Sequence, residues 1–363
     1  MNMVFNPSRL KLARTRRQLT IKKLAELVGL TPRAVSEYEK ERCTSVPKGQ
    51  TIASISEALF YPPEFFFEED DIDEVATDSV SFRSLKSMKA SHQHAAISAG
   101  SLGVMVDTYL RDKFELPKVN LPDLKDSTPE EAATLIRSEW GLGNNSISDV
   151  ISLLEKYGVR VYSLDEKTAA VDAFSFWRDG VPYVFLNTQK SGERSRFDAC
   201  HELGHLVLHR ESVPQGKDIE READTFAAYF LMPTDTVKKL SGRFFSISDI
   251  LKLKKSWKVS AMALIVHMRR LEVLSEWQYK SMIIEASKMG LRTKEIEGIP
   301  KEKSKLLNNI LEKLKLKNIG VSDIAKDLKL PVEEVSNLLF RFNVIGGSNV
   351  KTNKPKPTLT VVK

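Results

Sequence analysis

Cysteine is nearly absent: Cys43 and Cys200 are the only two in 363 residues. So few thiols in so long a chain exclude a disulfide framework, and Cys200 reads as a small buried apolar residue. Long uncharged apolar runs are missing too, so no segment of the sequence is suited to span a bilayer. The charged N-terminus is not followed by an apolar stretch and a cleavage site, and the expectation is a cytoplasmic protein. Histidine is scarce, at 6 residues, so any cluster of it stands out. What remains is an ordinary balance of 42% apolar and 28% charged residues, enough for two or three domains, each with its own core.

Charge is unevenly placed. The net charge is +7, and residues 1–50 carry eleven Lys or Arg against four Glu, so this small region holds the whole excess. A basic stripe confined to one domain suits a polyanion partner. Its helix grammar is explicit. Pro7 to Arg17 suits a first helix, Thr20 caps Ile21 to Val28, Gly29 permits a tight turn, and Thr31-Pro32 starts a helix to Lys40. Two short helices joined across glycine predict a helix-turn-helix. Arg33, Ser36 and Glu37 would face base edges of double-stranded DNA, with Arg9, Arg16, Lys22, Lys23 and Lys40 available for phosphates. Residues 60–67 form an aromatic seal, and an acidic stretch from Glu68 to Asp78 marks a boundary.

In mid-chain stands His201-Glu202-Leu203-Gly204-His205. On a helix, residues four apart share a face, so both imidazoles can turn toward one metal ion while Glu202 stays beside it as a base. Zn2+ suits such nitrogen ligands. A second helix follows, from Glu220 to Pro233, with Ala223, Phe226, Ala227 and Phe230 inward. At about 100° per residue, Glu220 falls closer to that face than Glu222, making Glu220 the expected third ligand and Glu222 the alternative. Asp224 is placed to fix the tautomer of a ligand histidine. His209, Tyr229 and Arg194 are candidate oxyanion donors, and Arg194, Arg196 and Tyr183 candidate substrate contacts.

Between these regions, Ser81 to Asp112 reads as largely helical, weakened by Gly100 and Gly103, and Leu116 to Pro129 as a proline-broken connector. Helices are expected over Pro129 to Trp140 and Ser148 to Tyr157. Short runs at Val159–Tyr162, Ala173–Trp177 and Tyr183–Leu186 predict a small antiparallel sheet. A substrate peptide could add along its edge, with Tyr183, Phe185 and Asn187 as edge candidates. After residue 241 the pattern is helical, and Ile319 to Leu339 repeats the two-short-helix grammar. That grammar admits a second helix-turn-helix-like unit, but its Glu333-Glu334 opening ill suits a DNA backbone and favours a protein-contact or regulatory module. The fold class expected is multidomain and mainly α with a small α+β core. The units are 1–67 helix-turn-helix, 68–128 connector, 129–240 metal domain, 241–345 helical C-terminal region and 346–363 flexible tail.

Two resemblances bear on these motifs. Leu24-Ala25, Gly29, Thr31 to Val35 and Ser36-Glu37-Tyr38-Glu39 resemble the helix-turn-helix of the Xre, or phage repressor-like, family, with Lys23 and Glu41 where glutamine and glycine are commoner. Arg196-Phe197, the His201–His205 motif, His209, Glu220-x-Glu222-Ala223-Asp224-x-Phe226-Ala227 and Leu231-Met232-Pro233 closely resemble the ImmA/IrrE metallopeptidases, over roughly residues 150–240. That resemblance implies a minimal zincin with His201, His205 and Glu220 as zinc ligands and Glu202 as base. It also implies an endopeptidase acting on a partner protein, a helix-turn-helix transcriptional repressor. Xre-like domains commonly act as dimers, so a homodimer is an expectation. The competing reading is a transcriptional regulator or toxin-antitoxin component whose zincin-like domain binds a partner without proteolysis.

Overall fold

The computed structural model describes residues 4–40, 46–68, 81–82, 89–164, 172–210 and 216–341. The expected tail 346–363 and nearly all of the acidic stretch after Glu68 lie outside these residues. The N-terminal unit has four helices, α1 (Pro7–Arg16), α2 (Ile21–Val28), α3 (Pro32–Tyr38) and α4 (Gly49–Leu59), closed by a 3-10 turn at Pro63–Phe67. Thr20 accepts from the Lys23 amide, Thr31 accepts from the Ala34 amide, and Gly29 ends α2 at φ +67°. Leu10, Ala13, Leu24, Val35, Ile55, Leu59, Phe65 and Phe66 make its core. Arg14 bridges α1 to the end of α3 by two bonds to Glu39, of 2.6 and 2.7 Å.

Ser81–Phe82 is a strand, β1, and helix α5 begins only at Ala90 and runs to Arg111. This corrects the helical reading from Ser81. The run Ser-Val-Ser-Phe-Arg-Ser at 79–84 alternates with period two, the strand period, which outweighs the loose apolar spacing there. Next come α6 (Pro129–Glu139), α7 (Val150–Lys156), β2 (Arg160–Leu164), β3 (Ala173–Arg178), β4 (Val181–Asn187), α8 (Gly192–Leu208) and α9 (Lys217–Leu231).

The sheet order is β1-β3-β4-β2. Asp179 and Gly180, at φ +49° and +73°, turn β3 into β4 as a two-residue hairpin. The sheet is mixed rather than antiparallel throughout, because β2 pairs with β4 in parallel and not with its neighbour in sequence. β4 is therefore interior, and Tyr183, Phe185 and Asn187 do not line an edge.

Alternation along the strands gives the sheet two distinct faces. Tyr162, Phe174, Phe176, Tyr183 and Phe185 stack on one, with Phe174 and Phe185 ring centroids 4.7 Å apart. α5 lies against this face so closely that a Cβ at Gly103 would come within 2.5 Å of the Phe185 ring. Asp107 of α5 accepts from the hydroxyls of Tyr162 and Tyr183, at 3.1 and 2.9 Å. α8 takes the opposite face, where the Trp177 indole donates to the Leu206 carbonyl at 3.0 Å.

Helices α10 (Thr234–Lys238), α11 (Ile247–Trp257), α12 (Ala261–Arg270), α13 (Glu276–Lys288), α14 (Lys305–Lys315), α15 (Val321–Asp327) and α16 (Val332–Leu338) complete the chain. They brace the start of α8. Lys254 is buried between Glu193 and Glu295, and Glu302 meets Arg196 and the Val150 amide. Half of the acidic opening of α16 turns inward: Glu334 pairs with Arg16 at 2.9 Å and Arg17 at 2.6 Å, while Glu333 is exposed. Among the described residues no helix is long and apolar enough to cross a membrane.

Candidate metal centre

α8 begins at Ser191, whose hydroxyl caps the Arg194 amide, and nearly every side chain along it is buried. α9 reaches α8 through Gly204. A Cβ there would sit 3.1 Å from the Phe226 ring and 3.3 Å from the Ala223 Cα, so a larger residue would push α9 away. The glycine thus sets how near the acidic start of α9 comes to the two imidazoles.

His201 and His205 are both buried, and their Nε2 atoms are 3.0 Å apart. Glu220 faces the pair, with one carboxylate oxygen 3.4 Å from His201 Nε2 and the other 3.5 Å from His205 Nε2. Neither Glu220 oxygen has a hydrogen-bond partner. The outer ring nitrogens explain the geometry. His201 Nδ1 lies 2.9 Å from Asp224, so its proton sits there and the Nε2 lone pair points inward. His205 Nδ1 lies 3.0 Å from His209 Nδ1, and His209 Nε2 lies 2.9 Å from Glu222. Read as donors, His205 gives its Nδ1 proton to His209, which gives its Nε2 proton to Glu222, and the His205 lone pair also points inward. Two imidazole lone pairs and a bare carboxylate within 4.8 Å of one another would repel without a cation between them. This nitrogen and oxygen set fits zinc.

Glu202 is fully buried beside them. Its Oε2 accepts from Ser175 Oγ at 2.6 Å, and its Oε1 has no partner. Burial pushes this carboxyl up to about 8, opposed by His201 and by the Ser175 hydrogen bond. The role of Ser175 went unread in the sequence. Its signal was the alternation of β3, which turns Ser175 away from Phe174 and Phe176 and toward α8.

The structure brings His201, His205, Glu220, Glu202 and Asp224 together and gives Glu222 to His209 instead of the imidazole pair. Each of the other sequence candidates for this site has partners of its own. Tyr183 is buried against Asp107, on the sheet face away from α8. Arg196 is buried, bound to Glu302 and to the Ile147 carbonyl, because it anchors the start of α8. Arg194 meets Asp172 at 2.8 Å and Asp198 at 3.1 Å. Tyr229 packs edge-on to His267, and burial raises its hydroxyl with Glu130 beside it. In the helix-turn-helix, Lys22, Lys23, Arg33 and Lys40 are exposed, while Ser36 and Glu37 are half-buried and Glu37 pairs with Lys40. Arg16 is held by Glu334, and Arg9 is buried with its guanidinium 5.0 Å from the Phe65 ring centroid.

Fold and site together define a DNA-associated, metallopeptidase-like protein. Residues 10–66 match the helix-turn-helix family, and residues 154–268 match the IrrE N-terminal-like domain family. The two matches together fit the ImmA/IrrE architecture joined to an Xre-like helix-turn-helix. No curated protein gives a match to it.

Proposed function

We propose that the protein is a zinc endopeptidase tethered to DNA, which hydrolyses a peptide bond in a helix-turn-helix transcriptional repressor. One observation carries the reading: the convergence of buried His201 and His205 with half-buried Glu220 beside a Glu202 oxygen that nothing else occupies. Bound zinc would supply Lewis acidity, lowering the pKa of water toward about 7 and polarising the substrate carbonyl. Glu202 Oε1 is the free oxygen, and it takes a proton from the attacking water and returns it to the leaving nitrogen. Ser175 holds Oε2 and so fixes the rotation of that carboxylate. Asp224 and the His209–Glu222 pair hold the ligand rings in the tautomer that presents Nε2.

DNA contact falls to Lys22 and Lys23 on α2, Arg33 on α3 and Lys40 just beyond it, with Ser36 and Glu37 nearest the bases. Tethering places the protease at high local concentration beside operator-bound substrate, which gives the fusion a use. The test is purified wild type and Glu202→Gln, each assayed for zinc and for cleavage of the repressor encoded nearest its gene. The variant should keep its zinc and lose cleavage by about 10²-fold or more. A variant that keeps both would contradict the assigned base.

A further inference from the structure

Among the described residues only one sheet edge lies beside the Glu202 carboxyl, and the chain itself fills it. β3 carries Ser175, the donor to Glu202, and β4 runs along one side of β3. The outer edge of β2 is two strand spacings further off, roughly 10 Å. A peptide that adds as a strand next to Glu202 must therefore pair with β3 on the side away from β4. β1 holds that side, antiparallel, with Ser81 opposite Ser175 and Phe82 opposite Phe174. In sequence β1 lies between the helix-turn-helix unit and α5.

We infer that the protein is its own substrate: the Ser81–Phe82 strand is presented along β3 to Glu202 and cut there, severing the helix-turn-helix from the catalytic domain. This rests on the peptidase reading and adds the identity of the peptide. The ladder is two residue pairs long, which is too short to act as a tight plug. The tether still keeps the strand at an effective concentration on the order of millimolar. In the reaction, water oxygen bonds to the carbonyl carbon and the C–N bond breaks. Glu202 carries one water proton to the departing nitrogen, leaving a new carboxylate on the N-terminal piece and a new amine on the other. No other reactant is consumed. The pieces stay joined through the Arg16 and Arg17 pairs with Glu334, so the cut is read under denaturing conditions.

The experiment loads the full-length protein with zinc and follows its intact mass, alongside hydrolysis of a random-sequence fluorogenic peptide mixture. The expected result is a fragment ending near residue 81, formed at a rate unchanged over a tenfold range of protein concentration and absent from Glu202→Gln. Phe82→Pro removes a backbone donor from β1 and should slow self-cleavage at least tenfold, while hydrolysis of the mixture rises because the edge is clear. If the mixture is hydrolysed and the chain stays whole, β1 is only an obstruction and the self-substrate inference fails. If neither is cut, the peptidase reading fails with it.

Discussion

His201 and His205 can act as metal ligands only if both offer an Nε2 lone pair to the same point, and that depends on what holds their far nitrogens. Asp224 does this for His201 directly, whereas His205 relies on His209 and, through it, Glu222. Asp224→Asn and Glu222→Gln should each weaken zinc binding by about 10–100-fold without abolishing it, measured by competition with a chromogenic chelator. Unchanged affinity in both would show that the outer contacts do not orient the rings. Helical spacing made much of this cluster legible in the sequence: His201 and His205 share a face, and Glu220 lies nearer the buried side of α9 than Glu222. Ser175 and the His209–Glu222 contact were not legible, because each depends on how closely a second element approaches α8. Tyr183 and Arg196 were polar groups that tertiary packing used for other ends.

At the scale of elements, caps and turns were the most readable features. Thr20, Gly29 and Thr31-Pro32 mark α2 and α3 by local chemistry alone, and Asp179-Gly180 marks the hairpin. Strand order was not readable, since pairing β2 with β4 is a non-local choice. Gly100 and Gly103 looked like weak points of a helix, but in α5 they let the backbone lie against the aromatic face of the sheet. Gly103→Ala should therefore destabilise the protein by about 1–3 kcal/mol, despite the better helix propensity of alanine, as read from urea unfolding. A stabilised variant would mean that α5 does not pack there.

Across the whole molecule, the end of α1 meets α16. Glu334 of α16 is buried between Arg16 and Arg17 of the helix-turn-helix unit, so one of the two acids that ill suited DNA serves as an internal clamp while Glu333 stays exposed. Glu334→Gln leaves the nearly buried Arg16 without its carboxylate and should lower stability by about 2–4 kcal/mol, with Arg16→Gln adding much less on top in a double-mutant cycle. Additive losses would show that the two residues do not interact. The proposed chemistry rests on the centre of the chain. The most direct test there is the zinc content of purified wild type, Glu220→Gln and Glu222→Gln after dialysis against a weak chelator. The geometry predicts one zinc per chain in wild type, substantial retention in Glu222→Gln and almost none in Glu220→Gln; zinc kept by Glu220→Gln and lost from Glu222→Gln would contradict it.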